Sequence, residues 1–216
     1  MVAIRRQVEL LEKNRPRQER AKRTYEGILA AAAELLLEVG VERISTNLIA
    51  ERAGVTVPAL YRYFPNKYSV LHALGTLLMD RQNEVFGDWF AAQSATGRPA
   101  QLLDSVFDVL KRTYDVTLEQ TAGLEILQSL RAVAPLQQLR LESLDIVSRQ
   151  FATAAAELLG KPVDDLLSLR ARVSVETGYS VVEMALEEDP AMASGILSEG
   201  ASMMRSYWLN ILSCEA

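Results

Sequence analysis

The sequence predicts an all-α protein, and three observations carry that prediction. Apolar residues recur at helical spacing from end to end of the 216 residues. Alternating Val/Ile/Thr runs and Asn-Gly or Asp-Gly turns, the marks of strands and hairpins, are absent. Glycine and proline clusters punctuate the periodic segments. With 49% hydrophobic residues the chain can bury a substantial core, which excludes disorder for most of its length.

Taken in order, Ile28, Ala32, Leu35, Leu36 and Val39 lie on one helix face, so a first helix is predicted over 18–39 with Gly40 as its stop. Two short helices follow. A long helix then begins near Asn66, carries Val70, Leu71, Leu74, Leu77, Leu78 and Val85 on one side, and ends before the turn cluster Thr96-Gly97-Arg98-Pro99. Further helices are predicted over 100–114, 118–130 and 136–159, with a break at Pro135 and a closing Gly160-Lys161-Pro162. The last two, over 164–187 and 191–212, are divided by Asp189-Pro190 and predict an antiparallel pair.

The net charge of −5 hides an asymmetry. Residues 1–67 hold 12 Lys and Arg against 8 Asp and Glu, net +4, whereas residues 68–216 hold 11 against 20, net −9. Single copies of cysteine (Cys214) and histidine (His72) exclude an intrachain disulfide and a Cys/His zinc cluster within one chain. The first 23 residues are charged, and Glu34 interrupts the longest apolar stretch, so a membrane span is not expected and a cytoplasmic location is. The −9 balance suits a cationic ligand or simply a solvated acidic surface. A Ser-His-Asp triad would depend wholly on His72, and glycine-rich phosphate loops, Gly-x-Ser-x-Gly elbows and metal-binding His pairs are lacking. Neither enzymatic activity nor a cofactor or metal is expected.

Between Ser45 and Lys67 the chain reads STNLIAERAGVTVPALYRYFPNK. Ser45 or Thr46 caps a helix of about eight residues whose apolar side is Leu48, Ile49 and Ala53. Gly54 ends it where a positive φ turns the chain. Thr56 caps a second short helix, with Pro58 tolerated in its first turn. Ala50 is small enough for the helices to cross closely, and Val55, Leu60 and Phe64 supply the contacts. Neither helix is long enough to persist alone, so both must pack on the first. A small residue, a glycine and two apolar residues at this spacing, here Ala50, Gly54, Val55 and Leu60, form a helix-turn-helix pattern.

Continued by Leu60-Tyr61-Arg62-Tyr63-Phe64-Pro65-Asn66-Lys67, the segment resembles the DNA-binding domain of the TetR family of bacterial regulators over residues 22–75. The resemblance implies a basic N-terminal arm (1–21), a three-helix helix-turn-helix domain (22–67) and a larger helical ligand-binding and dimerisation domain (68–216). Thr56 to Tyr63 becomes the recognition segment, with Val57, Pro58 and Ala59 facing bases through apolar contacts and DNA shape. Asn47 and Arg62 are placed to read base edges. Thr46, Tyr61, Tyr63 and Lys67 are placed to meet phosphates, while Phe64 reads as core. The arm, with Arg5, Arg6, Lys13, Arg15, Arg17, Arg20, Lys22 and Arg23, either follows the DNA or, through Val8, Leu10 and Leu11, packs as a short helix.

In the acidic part, Phe86, Trp89, Phe90, Phe107, Tyr114, Phe151, Tyr179 and Met184 are candidates both for a ligand cavity and for ordinary core. His72 is a candidate sensor or a plain helix residue. An apolar stripe with small residues, Ile196, Gly200, Met203, Met204, Tyr207, Trp208 and Ile211, joins Leu166, Leu169, Val173 and Val182 as a candidate dimer interface. The implied function is a ligand-responsive repressor that binds a palindromic double-stranded DNA operator as a homodimer and answers an unknown small-molecule effector. The alternatives are an activator and a helical module whose helix-turn-helix binds protein.

Overall fold

The computed structural model describes residues 9–13, 16, 18–94 and 99–215. Among the described residues it is all helical: α1 (Glu19–Arg43), α2 (Thr46–Arg52), α3 (Val57–Tyr61), α4 (Lys67–Ser94), α5 (Pro99–Asp104), α6 (Val106–Glu119), α7 (Gly123–Ala132), a 3-10 turn (Ala134–Leu136), α8 (Gln137–Leu159), α9 (Asp165–Leu186) and α10 (Pro190–Glu215). Thr96, Gly97 and Arg98 of the expected turn, and Arg5, Arg6, Val8, Arg15 and Arg17 of the arm, lie outside the described residues. No helix among the described residues is long and apolar enough to cross a membrane.

Packing divides the described chain into two compact units. One comprises the residues up to Leu78 together with Gln120–Arg140, the other Met79–Glu119 together with the residues from Leu141 on. The units therefore part within α4 and within α8, not at the residue 67/68 boundary expected from the sequence, and α7 belongs to the first unit.

In the first unit α1 buries Ile28, Ala32, Leu35 and Leu36 as its spacing requires, and Gly40 breaks it at φ 71°. Ser45 Oγ accepts from Leu48 N at 3.3 Å to cap α2, and Thr56 Oγ1 accepts from Ala59 N at 3.3 Å to cap α3. Between them Gly54 turns the chain at φ 65°. Ile49, Ala50, Leu60 and Phe64 are almost fully buried, and Tyr25 of α1 stacks on Phe64 at 5.1 Å. Leu48, expected in this core, is instead 37% exposed. It lies about 100° round the short helix from Ile49, off the buried side. α4 starts with a reciprocal cap: Ser69 N donates to Asn66 Oδ1 at 3.0 Å and Ser69 Oγ to Asn66 O at 2.7 Å. A β-carbon at Gly75 of α4 would lie 2.8 Å from Leu130 of α7, so only glycine allows this approach.

In the second unit α6, α9 and α10 pack on one another. Asp164 and Asp189 cap the last two helices: Leu167 N donates to Asp164 Oδ1 at 2.6 Å, and Ala191 N to Asp189 Oδ1 at 2.9 Å. The helix expected over 100–114 is divided at Ser105. Its hydroxyl donates to Leu102 O at 3.0 Å, and its oxygens receive the Trp89 indole N–H at 3.0 and 3.1 Å. Ala122, left-handed at φ 59°, starts α7 and so divides the helix expected over 118–130.

Arg52 ties α2 to α1. Its guanidinium meets both oxygens of Glu38 at 2.6 and 2.8 Å and Glu34 at 3.2 Å. The bonds to Arg52 hold the Glu38 carboxyl below its ordinary value of 4.5 and push the guanidinium's pKa up. A carboxylate with a depressed folded-state pKa stabilises the fold above its ordinary range and loses that contribution as pH falls. The stability gap between wild type and Arg52→Met, measured by urea unfolding, should accordingly shrink as pH drops through the usual carboxylate range. Gly54→Ala, forced to keep a left-handed φ, should cost about 1 kcal/mol in the same assay.

Candidate nucleic-acid interface and helical cavity

The capped starts of α2 and α3 bring their hydroxyl groups together. Thr46, in the first turn of α2, lies 3.2 Å from the hydroxyl of Tyr61 at the end of α3. Around this pair Asn47, Thr56, Pro58 and Arg62 are exposed, and Val57 and Ala59 are half-buried. Tyr61 keeps 41% of its surface in solvent although its aromatic ring would be expected to bury. A hydroxyl on a rigid exposed arm, beside a helix N-terminus, is chemistry suited to an anionic oxygen. At the start of α1, Arg20, Arg23 and Thr24 line one groove with Ala53 and Val55 of the α2–α3 turn, which adds positive charge to the same unit.

Two residues expected at phosphates have other surroundings. Tyr63 is 9% exposed and sits edge-on to Tyr25 at 6.1 Å, because it follows α3 where the chain turns back into the core. Lys67 Nζ donates to three carbonyls, Val41 at 3.1 Å, Ile44 at 3.1 Å and Glu42 at 3.4 Å. An ammonium has three N–H donors, and all three face the oxygens left open after Gly40 ends α1. Lys67 is therefore a bridge between the end of α1 and the start of α4. The described part of the arm is not the short helix considered as an alternative. Residues 9–13 are non-helical, Lys13 N donates to Tyr63 O at 2.8 Å, and Glu9 O accepts from the Asn66 amide at 2.8 Å. The role of Arg52 escaped the sequence reading, although Glu34 and Glu38, one turn apart on α1, were a signal for a basic partner.

The second unit contains a cavity of about 70 Å³. Four of the eight aromatic and methionine candidates, Phe86, Trp89, Phe151 and Tyr179, line it. Phe90 packs behind the wall, Tyr114 lies in a separate core cluster, and Phe107 and Met184 are 39% and 53% exposed on outward helix faces. Residues not anticipated complete the wall, among them Gln82, Thr113 and Ser174. They escaped notice because aromatic content, not polarity within an apolar wall, was the guide. None of the lining residues is charged, so the acidic balance of this part of the chain supplies no carboxylate to pair with a cation in the cavity. Burial pushes the Tyr179 hydroxyl up to about 12. His72 is half-buried on α4.

Candidate interface residues separate by helix face. Leu169, Val173, Met203 and Tyr207 are 57, 52, 66 and 43% exposed, as is Leu166 at 52%. Val182, Trp208 and Ile211 are buried in this chain's own core, Met204 is on the cavity wall, and Ile196 packs against the core. Gly200 faces α9: a β-carbon there would meet Val181 at 2.5 Å. A stripe wide enough to look like one interface is two faces, one turned inward.

The model of the family described as bacterial regulatory proteins, tetR family, matches residues 28–74. An uncharacterised HTH-type transcriptional regulator of Mycobacterium tuberculosis is 30% identical over 138 residues, 64% of this chain and 67% of the relative. The class C tetracycline repressor of Escherichia coli is 44% identical over 54 residues, so the match spans only 25% of either chain. Among solved structures, a TetR-family transcriptional regulator from Streptomyces coelicolor aligns with TM-score 0.54 and 25% identity, covering 88% of this chain and 99% of that one. A SmeT–triclosan complex aligns with TM-score 0.59 and 21% identity over 87% and 90%.

Replacing Lys67 with methionine leaves three carbonyls without their cation, and should lower unfolding stability by about 1–2 kcal/mol. A thermal or urea melt in the absence of nucleic acid measures this directly, and an unchanged melt would return Lys67 to a surface role.

Proposed function

Because the chain belongs to the TetR family of bacterial transcriptional regulators, which bind DNA, we propose that it is a homodimeric repressor of a palindromic operator, released by a small-molecule effector. The observation that carries the reading is the exposed Thr46–Tyr61 hydroxyl pair with Asn47 and Arg62 beside it, on two short capped helices. Thr46 and Tyr61 hold phosphates, Asn47 and Arg62 read base edges, and Thr56, Val57, Pro58 and Ala59 approach the major groove through methyl and apolar contacts. Tyr63 and Lys67 support this surface from behind.

Two recognition helices meet successive major grooves only if two chains join about 34 Å apart or a multiple of it. The exposed Leu166, Leu169 and Val173 on α9 and Met203 and Tyr207 on α10 support that pairing. The cavity supports effector control: a molecule that binds the DNA-incompetent conformation more tightly must weaken operator binding. The complex of the SmeT relative with triclosan is consistent with such a use.

Selection from a random duplex pool should enrich a palindrome. Arg62→Ala should weaken binding to it by about 1–3 kcal/mol and relax preference at one base pair per half-site. Affinity for the winning duplex should fall steeply with salt. A module that binds protein through the same helices would enrich no duplex. Val173→Asp combined with Met203→Asp should yield a folded monomer by sedimentation, and a variant that remained dimeric would remove this face from the interface.

A further inference from the structure

We propose that the cavity of the second unit selects a small, uncharged, mostly apolar molecule bearing one hydrogen-bond donor, and that Gln82 Oε1 is the acceptor that selects it. The inference rests on the reading that this cavity holds an effector, and it names that effector's chemical class. Apolar side chains such as Phe86, Phe151, Val175 and Met204 form most of the wall. Gln82 is 1% exposed there, and its Oε1 has no protein partner.

The orientation of that amide follows from a chain of donors. Gln82 Nε2 lies 2.7 Å from Thr117 Oγ1, and Thr117 Oγ1 lies 2.7 Å from Thr113 O. The one hydroxyl hydrogen of Thr117 goes to that carbonyl, so towards Gln82 the oxygen can only accept. A flipped amide could accept from Thr117 only if that hydroxyl left the Thr113 carbonyl, and both amide N–H groups would then lack a partner. Oε1 is thereby left as an acceptor without a partner, buried beside the cavity and reached by a donor only when the flexible wall gives way, a costly group unless something donates to it.

The hydroxyl and indole donors on the wall are already committed. Thr113 Oγ1 donates to Val109 O at 2.8 Å and Ser174 Oγ to Arg170 O at 2.9 Å. The Trp208 indole donates to Ser174 Oγ at 2.9 Å, the Trp89 indole to Ser105, and Tyr179 hydrogen-bonds with Ser143. A wall with an unmatched acceptor, occupied hydroxyl and indole donors and no charge offers an anion little to bind and a cation no counter-charge for the hydration it would lose. It favours a neutral donor.

Size narrows the class further. A cavity of about 70 Å³ is smaller than the roughly 150 Å³ apolar cavity known to admit benzene. Gly178 leaves room in the wall, since a β-carbon there would lie 3.8 Å from Met204 Cε, and the flexible thioether of Met204 can swing to enlarge the space. A single ring with a hydroxyl or N–H fits this description.

Both tryptophans of the chain, Trp89 and Trp208, line the cavity, so their fluorescence reports occupancy. The full-length protein, without DNA, is titrated with phenol and with toluene, which differ in the donor and little in size. Hydrophobicity alone favours toluene. Wild type should nevertheless bind phenol about tenfold more tightly or better, and Gln82→Met should abolish or reverse that preference. Equal binding, or a preference for toluene, in wild type overturns the role of Gln82 while leaving an apolar effector site standing. No response to either ring overturns both. If circular dichroism shows that Gln82→Met does not fold, the wild-type comparison decides by itself, and Thr117→Val, which frees the amide to rotate, should still reduce the preference. A failure to bind any operator would leave these readings unaffected, because the tryptophans report the ligand and not the DNA.

Discussion

The carbonyls left open where α1 ends impose the constraint on which the first unit depends. Gly40 takes a positive φ and stops the helix, and the oxygens of Val41, Glu42 and Ile44 then need donors. Lys67 supplies them from the first position of α4. The same ammonium ties together the two segments that flank α2 and α3. Those helices, of seven and five residues, are far too short to be stable alone. Their position is held by this bridge, by the Arg52 clamp on Glu34 and Glu38, and by Tyr25 stacked on Phe64. The exposed Thr46–Tyr61 pair is therefore displayed on a supported surface.

A different constraint governs the second unit. Helices that pack around aromatic side chains bury polar groups only when each finds a partner. Ser174, Ser105, Thr113 and Thr117 meet that rule by bonding to indoles, to an amide or to their own helix backbone. Gln82 meets it by half, through its nitrogen alone. Ser148 Oγ also lacks a partner, but the Gln82 exception lies on a cavity wall, and local departures from otherwise consistent packing are where binding sites are expected.

Periodicity made the helices legible because one face of each is buried, and the stops were legible because Gly40, Gly54 and Gly160 require backbone conformations that other residues resist. Caps at Ser45 and Thr56 were readable for the same local reason. Boundaries failed where a distant side chain intervened, as at Ser105, whose oxygens serve Trp89. Apolar stripes were visible without their direction. Met203 and Trp208 are close in sequence and similarly apolar, yet one is 66% and the other 3% exposed.

By itself the sequence determined the helical class and the helix-turn-helix, since spacing, caps and positive-φ glycines act within a few residues of one another. Tertiary structure alone decided that Lys67 and Tyr63 face inward, that α7 packs with the first unit, and that Gln82, on a cavity wall, keeps an unmatched acceptor. Such outcomes depend on which partners arrive from residues 20 or more positions away, and no local pattern encodes that arrival.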